Sequence, residues 1–221
     1  GTTMADAVAR VRQGMKHMLR YGSAAFDVAD PVRAITELGL DSRHFILVTG
    51  DSHSGTLVNE GHMDRVVRHA IAQGVKPMTA IQMCTLNTAE HFRLDRDIGQ
   101  VAPGRYGDVL IVSDLVNMKV DTVISAGEVI CENGKWLVDL PTFEYPAEVK
   151  QSVKLGKTLT AVDFKIPNLK SPNSKVRARV IGVVEDHLPT RSLELDLPTK
   201  DGSVQIDVSQ DVCKLALVER H

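Results

Sequence analysis

The chain has 221 residues, 43% of them hydrophobic and 24% charged, enough for one or two domains with a real apolar core. A formal net charge of −2, with no basic stripe and no aromatic-basic interleaving, gives no expectation of nucleic-acid binding, and no apolar run approaches the roughly 18–20 residues of a membrane span. Gly1-Thr2-Thr3-Met4 lacks the charged-then-apolar pattern of a secretory leader, and Cys84, Cys131 and Cys213 are odd in number and widely spaced, so a soluble cytoplasmic protein with reduced thiols is expected.

Thr3 is placed to cap a helix whose apolar positions are Met4, Val8, Val11, Met15 and Met18, with Gly22-Ser23 ending or interrupting it. A second helix is predicted from Asp30-Pro31, carrying Val32, Ile35 and Leu38 and closed by Gly39. Phe45-Ile46-Leu47-Val48 is too short and too β-branched for a stable helix and reads as a buried strand. A small-residue loop from Thr49 to His62 follows it. Met63, Val66, Val67, Ala70 and Ile71 then mark one face of a helix stopped by Gly74. Two further short helices are expected over Thr79–Met83 and Thr88–Phe92, the second capped by Asn87 or Thr88. Residues 1–98 therefore read as α/β.

The character changes at Gly99. Ala102-Pro103-Gly104-Arg105 is a turn, and strands are predicted over Asp108–Val112 and Val120–Ile124. Asn133-Gly134 between Glu128–Cys131 and Lys135–Val138 is a strong hairpin signal, giving a small sheet over residues 99–140. A proline-bearing linker over 141–160 leads to a third, β-like region over 161–221. Its strands are expected at Val176–Val184, Val204–Val208 and Leu215–Val218, with turns at Pro172-Asn173 and Asp201-Gly202. The end at Glu219-Arg220-His221, directly after an apolar run, reads as a cut.

In an α/β fold the loops at the carboxyl ends of the strands carry the chemistry. Asp51 stands in such a loop, where a carboxylate binds a metal, handles a proton or simply caps a turn. His53 and His62 flank the same loop as candidate ligands, substrate contacts or solvated histidines. His69 and His91 fall on helices, and Cys84 reads as a small core residue rather than a nucleophile. The sequence holds no His-x-His, HExxH, CxxC, Walker loop or GxGxxG. From the residues alone, the reading stops at a strand-end carboxylate in an α/β fold with a β appendage.

The stretch over residues 47–115, LVTGDSHSGTLVNEGHMDRVVRHAIAQGVKPMTAIQMCTLNTAEHFRLDRDIGQVAPGRYGDVLIVSDL, resembles the bacterial adenine deaminases of the amidohydrolase superfamily. The likeness extends upstream through Arg12-Gln13-Gly14-Met15 and Arg20-Tyr21-Gly22-Ser23-Ala24-Ala25, and downstream to the ending Lys214-Leu215-Ala216-Leu217-Val218. The resemblance implies the last βα units of a (β/α)8 barrel over 1–98, an accessory sheet domain over 99–140 and the start of a C-terminal domain over 161–221. It implies hydrolysis of adenine to hypoxanthine and ammonia by a water activated on one or two divalent ions (Mn2+, or Fe2+ or Zn2+). Those ions are mostly held by residues upstream of this chain. It further implies a strand-end aspartate that shuttles protons, a small-molecule substrate with neither nucleic acid nor membrane as partner, and a homo-oligomer at full length.

Two departures accompany the resemblance. Gly50 occupies the position of the family's ligand and proton-shuttling aspartate, and Asp51 matches the next residue. Tyr21 stands where the family has a glutamate. Asp51 is thus the local catalytic and metal candidate, with His62 and His53 as substrate-side candidates. The isolated chain is expected to be inactive and poorly soluble, because an open partial barrel exposes sheet edges and core. The alternatives are another amidohydrolase acting on a cyclic amidine or amide, and a non-catalytic degenerate barrel serving as an interaction subunit.

Overall fold

In the computed structural model, which describes residues 1–168 and 174–220, Thr3 caps helix α1 (Met4–Arg12) in a reciprocal capping box with Asp6. The helix is shorter than its apolar spacing predicts. Gln13 caps it and Gly14 takes a φ of +76°, a left-handed turn that ends helices. Met15 and Met18 therefore leave the helical face. His17–Arg20 forms strand β1, paired parallel with β2 (Phe45–Val48), His17 beside Phe45 and Arg20 beside Val48. His17 and Leu19 alternate inward at 1% and 0% exposure while Met18 is 43% exposed, so the segment has the two-residue period of a strand.

The connection between the strands holds the short helix α2 (Arg33–Thr36). Asp30 is not its cap: the carboxylate accepts from Met4 N at 2.8 Å and from Arg33 Nη1 at 2.8 Å. Leu38, expected inside, is 54% exposed beyond the helix end.

After β2 the expected loop contains a further helix, α3 (Ser54–Asn59), followed by α4 (Met63–Ala72), α5 (Pro77–Cys84) and α6 (Leu86–Phe92). Helix α4 presents Val66, Val67 and Ala70 to Leu19, Phe45 and Leu47, and Ala80 and Met83 of α5 complete that core with Val28, Val32 and Ala34. Asn87 does not cap α6. It is 1% exposed, and its amide donates to Ser42 O at 2.9 Å and Phe45 O at 2.8 Å, tying the helix to the start of β2.

Strands β3 (Val109–Asp114), β4 (Lys119–Ser125), β5 (Glu128–Glu132) and β6 (Lys135–Trp136) form an antiparallel meander in chain order. Asn133 and Gly134 join the last two with φ values of +49° and +75°, the paired left-handed conformation of a two-residue hairpin turn. Residues 1–140 and Glu185–Leu188 make one compact unit, and its architecture is mixed α/β.

The second unit comprises Pro141–Val184 and the chain from Pro189 on. It holds a one-turn helix α7 (Ala147–Lys150), an antiparallel pair β8 (Val176–Gly182) and β9 (Arg191–Leu197), and a three-stranded sheet. That sheet pairs β7 (Ile166–Pro167) with β11 (Ser203–Val204) and β11 with β10 (Thr199–Lys200), the last two joined through Asp201 and Gly202. Strand β9 has no counterpart in the expectations above. Leu215–Val218, expected as a strand, joins no sheet among the described residues, and Leu215 and Leu217 are 84% and 94% exposed. Apolar content alone does not make a strand where no ladder partner is present. Only Val204 of Val204–Val208 is in a strand, because Asp207 caps a 3-10 turn over Val208–Gln210. The turn expected at Pro172-Asn173 lies outside the described residues.

Candidate functional site

Strands β1 and β2 run parallel, so both deliver the chain to the same edge, and the segments that follow them bind each other. Tyr21 N donates to Val48 O at 3.0 Å and Ser23 N to Asp51 O at 2.6 Å. Asp51 closes the clasp with its side chain, Oδ2 accepting from Ala24 N at 2.7 Å. A Cβ on Gly22 would stand 2.0 Å from Asp51 Oδ1, so this approach requires glycine there. Asp51 is exposed, and its Oδ1 accepts no hydrogen bond among the described residues.

His53 is the N-cap of α3. Its Nδ1 accepts from Gly55 N at 3.1 Å and its backbone N donates to Ser23 Oγ at 3.0 Å. Ser23 Oγ in turn donates to Thr56 Oγ1 at 2.8 Å. With Nδ1 accepting, the neutral ring carries its proton on Nε2 and keeps no lone pair for a cation. His62 lies one residue before α4, exposed, with its backbone N donating to Asp64 Oδ1 at 2.8 Å. No hydrogen bond, ion pair or ring contact joins His62 to Asp51 or His53 among the described residues. The structure thus brings Asp51 and His53 together around Ser23 and leaves His62 apart.

Arg20, Asp27 and Arg65 of this edge carry no expected role in the sequence. Arg20, at the end of β1, pairs with the carboxylate of Asp27. Arg65, 8% exposed on α4, donates Nη1 to Gly22 O at 2.9 Å and Tyr21 O at 3.3 Å, and Nε to Glu60 Oε2 at 2.6 Å. Its guanidinium also lies 4.0 Å from the centroid of the Tyr21 ring, a cation–π contact. His69, one helical turn on, stacks on the same ring with centroids 3.9 Å apart and planes 7° apart. Burial, with the Arg65 charge adding to it, lowers the His69 pKa and favours the neutral ring. Tyr21, where a carboxylate was expected, is therefore held by two side chains of α4. The signal was the i, i+4 spacing of Arg65 and His69, but their target lies more than forty residues upstream.

A divalent ion needs several converging donors. Asp51 keeps only Oδ1 free, the His53 lone pair is engaged with Gly55, and Gly50 has no side chain to offer. Among the described residues no group of three or more His, Cys, Asp or Glu side chains converges to hold a metal. These residues do not by themselves fit a metal centre. A mostly apolar cleft of about 870 Å³ lies elsewhere in the unit, lined by Cys84, Leu86, Tyr106, Leu110 and Met118 among others, and none of Asp51, His53 and His62 borders it. Cys84 is no nucleophile there, since burial pushes its thiol pKa to about 11. No helix among the described residues is long and apolar enough to cross a membrane.

Residues 3–130 match the sequence profile of the amidohydrolase family. Over its whole length the chain is 61% identical to an adenine deaminase of Mesorhizobium japonicum and 56% identical to adenine deaminase 3 of Rhizobium meliloti. It spans 36% and 37% of the lengths of those two relatives. Among solved structures, a β-aspartyl dipeptidase from Fervidobacterium islandicum AW-1 aligns with a TM-score of 0.49 at 19% identity, over 64% of this chain and 39% of that one.

Proposed function

We propose, from the premise that this chain belongs to the amidohydrolase family, that it is part of an enzyme hydrolysing adenine to hypoxanthine and ammonia. The observation that carries the reading is 61% identity along the whole chain to a protein named adenine deaminase. In the reaction water adds at C6 of the purine and the amino group leaves as ammonia. The parallel pair β1–β2 with its helices is the end of a (β/α)8 barrel, whose strand ends carry the active site. Residues 99–140 are the accessory sheet domain, 141–160 the linker and 161–221 the beginning of the C-terminal domain.

The family's hydrolysis calls for one or two divalent ions, Mn2+ or else Fe2+ or Zn2+, which supply an activated water when bound. Their ligands are assigned to the rest of the longer protein, since the residues here do not make a site. What this chain contributes is a rim. The free Oδ1 of Asp51 is placed to accept and return a proton. His53 offers its Nε2–H, and the exposed His62 ring a second polar contact, to the purine edge. Three free thiols at Cys84, Cys131 and Cys213 support a reducing, cytoplasmic setting, and the full-length protein is taken to be a homo-oligomer.

A non-catalytic relative is the second reading, favoured by the missing side chain at Gly50. The two separate in a chimera in which these 221 residues replace the matching segment of the Mesorhizobium protein. Ammonia release from adenine is expected, falling about 10²–10⁴-fold on Asp51→Asn as for loss of an acid–base group. A folded chimera without turnover would transfer the chain to the non-catalytic reading. The isolated chain is expected to show no turnover.

A further inference from the structure

Gly50 lies two residues past the end of β2 with a φ of +70°, a conformation glycine adopts freely and other residues resist. The space beside it is not open. A Cβ built there would stand 2.2 Å from Arg20 Cδ and 2.6 Å from Arg20 Cγ, so the aliphatic stem of Arg20 fills the volume a side chain at position 50 would need. Arg20 is held on two sides. Its guanidinium pairs with the carboxylate of Asp27, whose side chain is only 4% exposed, while the backbone N of Asp27 donates to Arg20 O at 2.8 Å.

We propose that the stem of Arg20, seated over Gly50 and pinned by Asp27, fills the place of a side chain at position 50 and so excludes a divalent ion from it. Three observations converge on it: the left-handed glycine, the collision with the Arg20 stem and the buried counter-ion. An aspartate at position 50 would have to displace the stem, and its carboxylate would then meet the guanidinium before it met a metal. The inference rests on the amidohydrolase reading in one respect, the expectation of a divalent ion at the strand ends. Its tests do not use adenine turnover, so failure of that reading in the chimera and failure of this inference are separate results.

The first test compares thermal midpoints of the 221-residue chain with Gly50→Ala, Arg20→Ala and the double substitution. Left-handed strain at position 50 is common to both backgrounds, whereas the collision exists only with Arg20. Gly50→Ala is therefore expected to lower the midpoint more with Arg20 present than with alanine at position 20, and equal lowering would overturn the seating. The second test needs no substitution, and so applies even where Arg20→Ala, by stranding Asp27, fails to fold. Amide NMR signals of residues 49–51 in the unaltered chain are followed on titration with Mn2+ alone. They are expected to show no paramagnetic broadening, and broadening centred on them would overturn the proposal.

Discussion

Leu19, Phe45, Leu47, Val66, Val67 and Met83 in the helical region are at most 2% exposed, whereas Leu110, Ile111, Val129 and Trp136 in the sheet that follows are 45% to 59% exposed. Both regions are rich in β-branched and aliphatic residues, so the difference lies in what covers them. The parallel strands β1 and β2 cannot pair through a short turn, and helices α4 and α5, which follow β2, share their buried core. The meander β3–β6 is built from neighbours in sequence and needs only its turns and ladders to form. Of the two, the parallel pair depends on packing at long range, and the meander leaves apolar faces of the kind that mark interaction surfaces.

The widest gap between the regions is expected in core truncation. Phe45→Ala should cost about 3–5 kcal/mol, as for a fully buried aromatic, while Leu110→Ala should cost less than about 1 kcal/mol. Urea unfolding of each variant measures both. Similar costs would mean that the sheet is covered as well as the helical layer is, and the comparison would fail.

His17 gives the same region a pH dependence. It is 1% exposed, its two ring nitrogens have no hydrogen-bond partner among the described residues, and Phe45 meets it edge-on at 6.0 Å. Burial pulls its pKa from 6.5 down to about 4. In the unfolded chain the ring takes a proton as pH falls through 6.5, while the folded ring stays neutral until about 4. Within that window the unfolded state binds more protons, so stability falls as pH falls, by roughly 3 kcal/mol in all. His17→Leu should flatten the slope measured between pH 7 and 4, and an unchanged slope would assign it to another group.

Asn87 and Gly134 sharpen the contrast between long-range and local determinants. Asn87→Ala strands the carbonyls of Ser42 and Phe45, which accept from its amide at 2.9 and 2.8 Å, at about 1–3 kcal/mol. Gly134→Ala forces a left-handed alanine at φ +75°, at about 1–2 kcal/mol. Hydrogen exchange should localise the two differently. The first should loosen α6 and the start of β2 together, and the second only β5 and β6.

What could be read in the sequence follows the same line. Strand β2, the apolar face of α4 and the Asn133-Gly134 turn depend on neighbours within a few residues, and they stand where periodicity and turn chemistry placed them. Strand β1 was absorbed into a helix because Met15 and Met18 continue the spacing of Met4, Val8 and Val11, and only the parallel partner nearly thirty residues on reveals it. Leu193, Leu195 and Leu197 alternate in β9, a period that is legible in the sequence. At the candidate site, Asp51 could be found from its place after an apolar strand. Its clasp on Ala24, the seat of Arg20 over Gly50 and the Arg65–Tyr21–His69 stack are long-range contacts and carry no local signature.

The smallest expected effect concerns the thiols. Cys84 donates Sγ–H to Ile81 O at 3.2 Å, and its pKa of about 11 leaves about one thiol in a thousand ionised at pH 8, where the thiolate is the reactive form. Cys213 is exposed in the second unit and Cys131 half-buried on β5. A disulfide reagent at pH 8 should therefore label Cys213 rapidly and Cys84 only when α5 opens. Adding urea below the unfolding midpoint should leave the Cys84 rate low while the helical layer holds, since access requires cooperative opening of the core that contains Phe45. If Cys84 reacts as fast as Cys213 in the absence of urea, α5 frays independently of that core, and the helical layer is no more protected than the exposed sheet beside it.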